Sequence, residues 1–146
     1  MSAPLVYRPA TEQDAQAIHS LLERCALPTE DLSDARPDFT VACDGPLIIG
    51  VGGFERFGAT GLLRSVAVSP DHRGMGVGQA IVADLERRAY GGGLTELVLL
   101  TQTAQPFFEY LGYRVIERDS APASVQNSEE FRTLCPQSAR CMAKRL

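Results

Sequence analysis

Residues Ser65-Val66-Ala67-Val68-Ser69-Pro70-Asp71-His72-Arg73-Gly74-Met75-Gly76-Val77-Gly78-Gln79 decide how this chain is read. Val66 and Val68 alternate as on a strand, and Pro70, which has no N–H to give to a sheet ladder, stops it. Gly74, Gly76 and Gly78 then let the backbone turn its N–H groups into one concavity at the start of a helix, where the helix dipole also favours an anion. Val77, Ala80, Ile81, Leu85 and Ala89 recur at helical spacing, and Gly91-Gly92-Gly93 ends that helix. The stretch reads as strand, phosphate cradle and helix. The plainer alternative, a glycine-rich surface turn, leaves the strand, proline and helix unexplained as a set.

Spacing excludes two other nucleotide loops. Gly74-x-Gly76-x-Gly78 lacks the last glycine of the dinucleotide fingerprint G-x-G-x-x-G, and it lies far from a first strand. A G-x-x-x-x-G-K-[ST] loop requires a lysine, and none stands nearby.

With 146 residues, 45% hydrophobic and 22% charged, the chain suffices for one core, so a single domain over residues 1–146 is expected. A net charge of −4 argues against nucleic acid or an anionic membrane as partner. No apolar run reaches membrane-spanning length, and Met1-Ser2-Ala3-Pro4 opens no signal peptide, so the expected location is the cytoplasm. Cys25, Cys43, Cys135 and Cys141 form no C-x-x-C pair and have no histidine at ligand spacing, which points to free thiols and no metal. His19 borders the apolar stripe Ala15, Ile18, Leu22, Cys25, and His72 precedes the loop without an evident chemical role.

Strands and helices alternate along the chain. Leu5–Arg8 reads as a strand, and Thr11-Glu12-Gln13-Asp14 as a capping-box-like start of a helix that ends near Pro28. The proline-bounded stretch Pro28–Pro37 reads as a loop or short helix suited to a substrate lid. Phe39–Cys43 and Leu47–Phe54 flank Asp44-Gly45, a favoured hairpin turn, and Leu62–Val68 is the next strand. Beyond the glycine loop and its helix come a strand over Glu96–Leu100, a helix over Thr103–Leu111 with Ala104, Phe107, Phe108 and Leu111 on one face, and a strand over Tyr113–Arg118.

Arg73, Gly76 and Gly78 match the R-x-x-G-x-G coenzyme A pyrophosphate loop, and with this element order the chain resembles the GNAT N-acetyltransferase superfamily over nearly its whole length. The stretches Leu99-Leu100-Thr101-Gln102-Thr103-Ala104, Phe107-Phe108, Leu111-Gly112-Tyr113 and Leu134-Cys135-Pro136-Gln137-Ser138-Ala139, with Ser128, Phe131 and Lys144, look like the arsenic-resistance-linked branch of that superfamily. They look more weakly like the acetyltransferase domain of N-acetylglutamate synthases. The resemblance implies an α/β fold with a mixed (α+β) sheet, the GNAT acyl-CoA N-acyltransferase fold, whose central strands splay so that the pantetheine arm of acetyl-CoA inserts between them. Val66, Ala67 and Val68 would bind that arm, and Arg73, Gly74, Met75, Gly76, Val77, Gly78 and Gln79 the pyrophosphate. The implied reaction is acetyl transfer to a small-molecule amine, the expected acceptor being a glutamate-like amino acid or an analogue bearing an arsenic or phosphorus acid. A second copy of the chain, in a homodimer, is the other expected partner.

Many members of the superfamily carry a tyrosine where this chain has Phe108, and that tyrosine protonates the departing thiol. Tyr110 and Tyr113 are the candidate substitutes, and Glu55, at the expected end of the third strand, is the candidate base acting through water. Arg64 and Ser65 directly precede the pantetheine strand, so one of them should face the substrate, and Arg56 lies at the hairpin edge. A guanidinium forks well onto a carboxylate or oxyacid, which suits an acidic acceptor. Two other classes fit less well: a module that holds acetyl-CoA without turnover, and an arsenic-sensing thiol protein.

Overall fold

The structure, a computed structural model, describes residues 4–134 and 138–146. Met1, Ser2 and Ala3, and the Cys135, Pro136 and Gln137 quoted above, lie outside the described residues.

Three antiparallel pairings build the first half of the sheet. β1 (Val6–Pro9) pairs with β2 (Asp38–Asp44), β2 with β3 (Leu47–Phe57), and β3 with β4 (Thr60–Val68). Asp44 pairs with Leu47, so the first turn is Gly45-Pro46, one residue later than expected. Gly45 has φ +59 and the proline ring fixes a negative φ after it, the combination of a type II′ turn. β3 is also longer than expected, which places Glu55 inside the strand and not at its end.

Between β1 and β2 the chain makes a 3-10 turn at Glu12–Asp14, then α1 (Ala15–Arg24) and the four-residue α2 (Leu32–Ala35). The Asp14 carboxylate accepts the Thr11 N–H at 2.7 Å and a two-pronged bond from Arg8 at 2.7 and 3.0 Å. The Arg8 bond first, and the Thr11 N–H second, hold the Asp14 carboxyl well below the usual carboxylate range. α1 ends four residues short of Pro28, and the stretch Pro28–Pro37, expected to suit a lid, holds α2.

After β4, a 3-10 turn at Pro70–His72 and the glycine loop lead into α3 (Val77–Gly91), then β5 (Glu96–Thr101), α4 (Gln105–Tyr110) and β6 (Arg114–Ile116). A 3-10 turn at Arg118–Ser120, α5 (Ala123–Gln126), a π-helical turn at Glu130–Leu134 and β7 (Arg140–Arg145) follow. β7 was not expected from the sequence, nor were α5 and the π-helical turn. The polar ends of Arg140-Cys141-Met142-Ala143-Lys144-Arg145 hide a strand that pairs on both sides. Among the described residues the sheet has the order β1-β2-β3-β4-β5-β7-β6, and only β4 and β5 run parallel.

α1 packs Ile18, Leu21 and Leu22 on one face, against Val41, Val51 and Ala67. α3 packs Val77, Ile81, Val82, Leu85 and Ala89 on the other, against Ala42, Ile49, Phe54 and Leu63, with Phe108 of α4 and Met142 of β7 in the same cluster. α3 approaches closely because β3 presents glycines. A Cβ at Gly52 would lie 2.8 Å from an Ile81 methyl and 3.0 Å from one of Leu85. Gly52→Val should therefore overpack this contact, costing about 1–3 kcal/mol and lowering Tm by roughly 3–10 °C in calorimetry. Position 91, where a Cβ meets nothing within 4 Å and the backbone is not left-handed, is the control for added bulk alone.

Candidate active site

Pairing between β4 and β5 stops early. Thr60, Gly61 and Leu62 pair with Glu96, Leu97 and Val98, yet the strands run on to Val68 and Thr101 without further partners on that side. The cause lies on the β3 side. Gly53 opposes Arg64 and Val51 opposes Ala67, so Ser65 and Val66 together face the single Gly52 in a β-bulge. Ser65 takes φ +60, a left-handed conformation that costs a serine about 1–3 kcal/mol. Such a bulge bends the strand and sharpens its twist, which swings the end of β4 away from β5.

The bulge leaves an open backbone edge. Ser69 N–H donates to the Ile49 carbonyl at 2.8 Å, so by antiparallel alternation the peptide groups of Val68 point the other way, into the split. There the Val68 carbonyl accepts the Arg73 Nε–H at 3.2 Å.

Two clefts open along the split. The first, about 640 Å³, is lined by Val66, Ala67, Val68, Arg73, Gly74, Gly76, Val77, Gly78 and Gln79. Nine of the ten residues expected to hold the cofactor are thus together. Met75 is not, because its side chain is 63% exposed at the outer turn. Gly74 and Gly76 both have φ +78, and Gly76 caps α3. Ala80 N–H closes the first turn onto the Gly76 carbonyl, so the N–H groups of residues 77–79 face the cleft. A positive helix end, a guanidinium and bare glycine backbone fit a pyrophosphate, and the open strand edge beside them fits an amide-bearing arm.

The second cleft, about 730 Å³, adjoins the first, and Cys25, Leu27, Val66, Thr103, Ala104 and Phe108 line both. Its remaining walls include Pro28 ahead of α2, Ser65 of the bulge, Leu100 and Thr101 at the end of β5, and Gln102 after it. Thr101 Oγ1 accepts the Ala104 N–H at 3.0 Å, which shapes the turn into α4. Among the described lining residues the charged ones are Glu30 and Glu130. Sequence reasoning missed Glu130 although it quoted Ser128 and Phe131 on either side, because a carboxylate in an unassigned stretch carries no period. It also read Cys25 as an ordinary thiol. In the structure its Sγ lies 3.8 Å from the Val68 carbonyl, at the junction of the clefts.

Several expected site residues sit elsewhere. Arg64 lines neither cleft, and of the pair Arg64–Ser65 it is Ser65 that faces the second one. The Arg64 side chain has no exposed surface, and its guanidinium donates to Asp31 at 2.5 and 2.8 Å, to Glu55 at 3.1 Å and to Ser65 Oγ at 3.1 Å. Ser65 does line the cleft. Glu55 does not, and burial pushes its carboxyl above its ordinary value against the pull of Arg64. Arg56 pairs with Asp38 at 3.0 Å at the surface. Tyr110 is 80% exposed and lines neither cleft, because it falls on the outer face of α4. Tyr113 is buried behind Phe108, ring to ring at 5.6 Å, and its hydroxyl donates to Glu86 at 2.9 Å. Burial, then the Glu86 charge, push that hydroxyl above the ordinary phenol range. Lys144 donates to the same Glu86 at 3.0 Å and to the Leu111 carbonyl at 2.8 Å, tying β7 to α3 and the end of α4.

Two outcomes follow from this geometry. Gly76→Glu combines a side chain at φ +78 with a negative charge at the helix end, and should weaken acetyl-CoA binding at least about tenfold in calorimetry with an unchanged circular-dichroism spectrum. Glu55, whose carboxyl is raised in the fold, favours the folded state below its ordinary value of 4.5 and progressively loses that contribution as pH rises through the raised value. Glu55→Gln removes the loss and can still accept from Arg64, so the Tm of the variant relative to the native chain should climb as the pH rises above 4.5.

Residues 35–115 match the family model described as an acetyltransferase (GNAT) domain. The chain is 38% identical over 87 residues to an uncharacterized N-acetyltransferase, YjcF, of Bacillus subtilis, covering 58% of this chain and 62% of the relative. It is 37% identical over 67 residues to the glucosamine 6-phosphate N-acetyltransferase of Trypanosoma brucei brucei, covering 44% of this chain and 46% of that protein. The chain thus matches about three-fifths and under half of these relatives' lengths. Among solved structures, Rv2747 of Mycobacterium tuberculosis, in complex with CoA and NLQ, superimposes with a TM-score of 0.81 at 26% identity, covering 97% of this chain and 99% of that one. The split sheet, the glycine loop at the head of α3 and the family match over more than half of the residues agree, and the chain belongs to the GNAT acetyltransferase family.

Proposed function

We propose that this chain transfers the acetyl group of acetyl-CoA to the primary amine of a small molecule. The coenzyme would lie in the glycine-loop cleft and the acceptor in the cleft next to it. The observation that carries this reading is the meeting of the two clefts at Val66 and Phe108, beside the open edge of β4.

Acetyl-CoA supplies an acetyl thioester, an electrophilic carbonyl with a thiol as leaving group. The peptide groups of Val68 would extend the sheet to the pantetheine amides, and the head of α3 with Arg73 would hold the pyrophosphate. An amine arrives as ammonium and must lose a proton before it attacks. Glu130, 6% exposed and part of the acceptor wall, takes that proton in this reading, a role the sequence had suggested for Glu55. With Phe108 at the junction and the hydroxyls of Tyr110 and Tyr113 directed elsewhere, water serves the leaving thiol.

The acceptor in this proposal carries a second acid group, as a glutamate-like amino acid or an arsenic- or phosphorus-acid analogue does. Arg64 supports this by standing directly behind the Ser65 wall. The trypanosomal relative adds support, since the acceptor in its name bears a phosphate beside its amine. Release of coenzyme A, followed across amino acids, polyamines, peptide amines and glutamate-like antimetabolites, tests both levels. Acidic acceptors should lead, and Glu130→Gln should lower kcat about a hundredfold. A spermidine or peptide amine that outcompetes every acidic acceptor would overturn the acceptor class, and tight acetyl-CoA binding with no turnover on any amine would leave a binding module.

A further inference from the structure

Resting on the acid-acceptor reading above, we propose that the Asp31 carboxylate stands in for the acid group of the acceptor. An anionic acceptor engages Arg64 by exchange with Asp31, and the exchange releases the lid segment between α1 and α2.

The Arg64 guanidinium is held as a ligand-binding arginine would be. Both terminal nitrogens meet the two oxygens of one carboxylate, at 2.5 and 2.8 Å, the parallel fork with which arginine binds carboxylates and oxyacids. The third donor, Nε, holds Ser65 Oγ at 3.1 Å, and Ser65 lines the acceptor cleft. Arg64 is therefore one side chain behind the wall, while no lysine, arginine or histidine lines that cleft among the described residues. If a cation of the fold is to bind an acceptor's acid group, Arg64 is the one in place.

Charge makes this an exchange and not an addition. Three carboxylates surround the single guanidinium: Asp31 and Glu55 in direct contact, and Glu130 close enough for its charge to act on Arg64. A fourth carboxylate brought into this buried group would meet net repulsion, so one already there must leave. Glu55 sits within β3, its backbone paired with Leu62 of β4, so its side chain stays rooted beside Arg64, whereas Asp31 can leave with its segment. Glu130 belongs to the cleft wall, where it suits the acceptor's ammonium. Asp31 is on the lid, next to Glu30 of the wall and at the head of the four-residue α2. Among the described residues, its pair with Arg64 is the ion pair that ties residues 26–37 to the sheet. An acceptor with an ammonium at one end and an acid at the other would satisfy both Glu130 and Arg64, and Asp31 would move to solvent.

Calorimetry with L-glutamate tests the exchange. Asp31→Asn keeps the shape of the side chain and removes the competing charge, so it should bind L-glutamate about tenfold or more tightly than the native chain and lower its KM, whereas Asp31→Asn combined with Arg64→Ala should lose the gain. Binding of acetyl-CoA and the melting temperature report whether the variants are folded. A measurement on the native chain stands beside this one: saturating L-glutamate should speed amide exchange at residues 29–36. Equal or weaker glutamate binding by folded Asp31→Asn, or lid amides that slow or do not change, would overturn the exchange. If L-glutamate is acetylated but Asp31→Asn binds it no better, only the exchange fails. If L-glutamate neither binds nor reacts while a polyamine does, the acid-acceptor reading fails with it.

Discussion

The early end of the β4–β5 pairing is the constraint on which the rest of this molecule depends. Three residue pairs join the two parallel strands, and beyond Leu62 and Val98 their backbones have no partner in each other. Unpaired backbone inside a sheet is costly, and the fold accommodates it only where a ligand or solvent meets those groups. The extra residue at Ser65–Val66 produces the divergence, and the glycine at position 52 gives it room, since Gly52 faces the bulge on one side and α3 on the other. One short stretch thus sets the split, the packing of the helix and the place of the glycine loop.

The same bulge explains why charges near the site are arranged as they are. By turning Ser65 into the wall of the second cleft it sends Arg64 toward the segment that carries α2, where a buried guanidinium needs carboxylates, and Asp31 and Glu55 supply them. Glu86 does comparable work at the far end of α3. It gathers Tyr113 and Lys144, and so fixes α4 and the strands after it at the back of the coenzyme cleft. Phe108 sits between these two arrangements and lines both clefts. An apolar ring at that junction has no proton to give a departing thiol.

Much of the fold was legible in the sequence. The glycine loop, α3, the hairpin strands and the apolar face of α4 rest on local signals: proline and glycine stops and apolar periods of two or 3.6. What failed was non-local. Arg140–Arg145 reads as a polar tail because its charged residues sit at the ends, and only the Cys141-Met142-Ala143 centre, gripped by β5 and β6, shows it to be a strand. Alternation could say only that one of Arg64 and Ser65 faces the site, and which of them does so depends on a bulge that spacing does not reveal. The exposure of Tyr110 and the burial of Tyr113 could not be separated by spacing, since one lies just before and one just after the glycine that ends α4. Glu130 joins the site only through the packing of the π-helical turn against the sheet.

The central claim is that the open edge of β4 receives the coenzyme as an added strand. Amide hydrogen exchange read residue by residue, with and without acetyl-CoA, tests it most directly. The account predicts that Val68 N–H, turned into the split, exchanges readily in the protein alone and becomes strongly protected when acetyl-CoA is bound, together with the amides of Gly78 and Gln79 at the head of α3. Protection at Gly78 and Gln79 with no change at Val68 would contradict it, since the pyrophosphate would then be held while the arm lay somewhere other than the split.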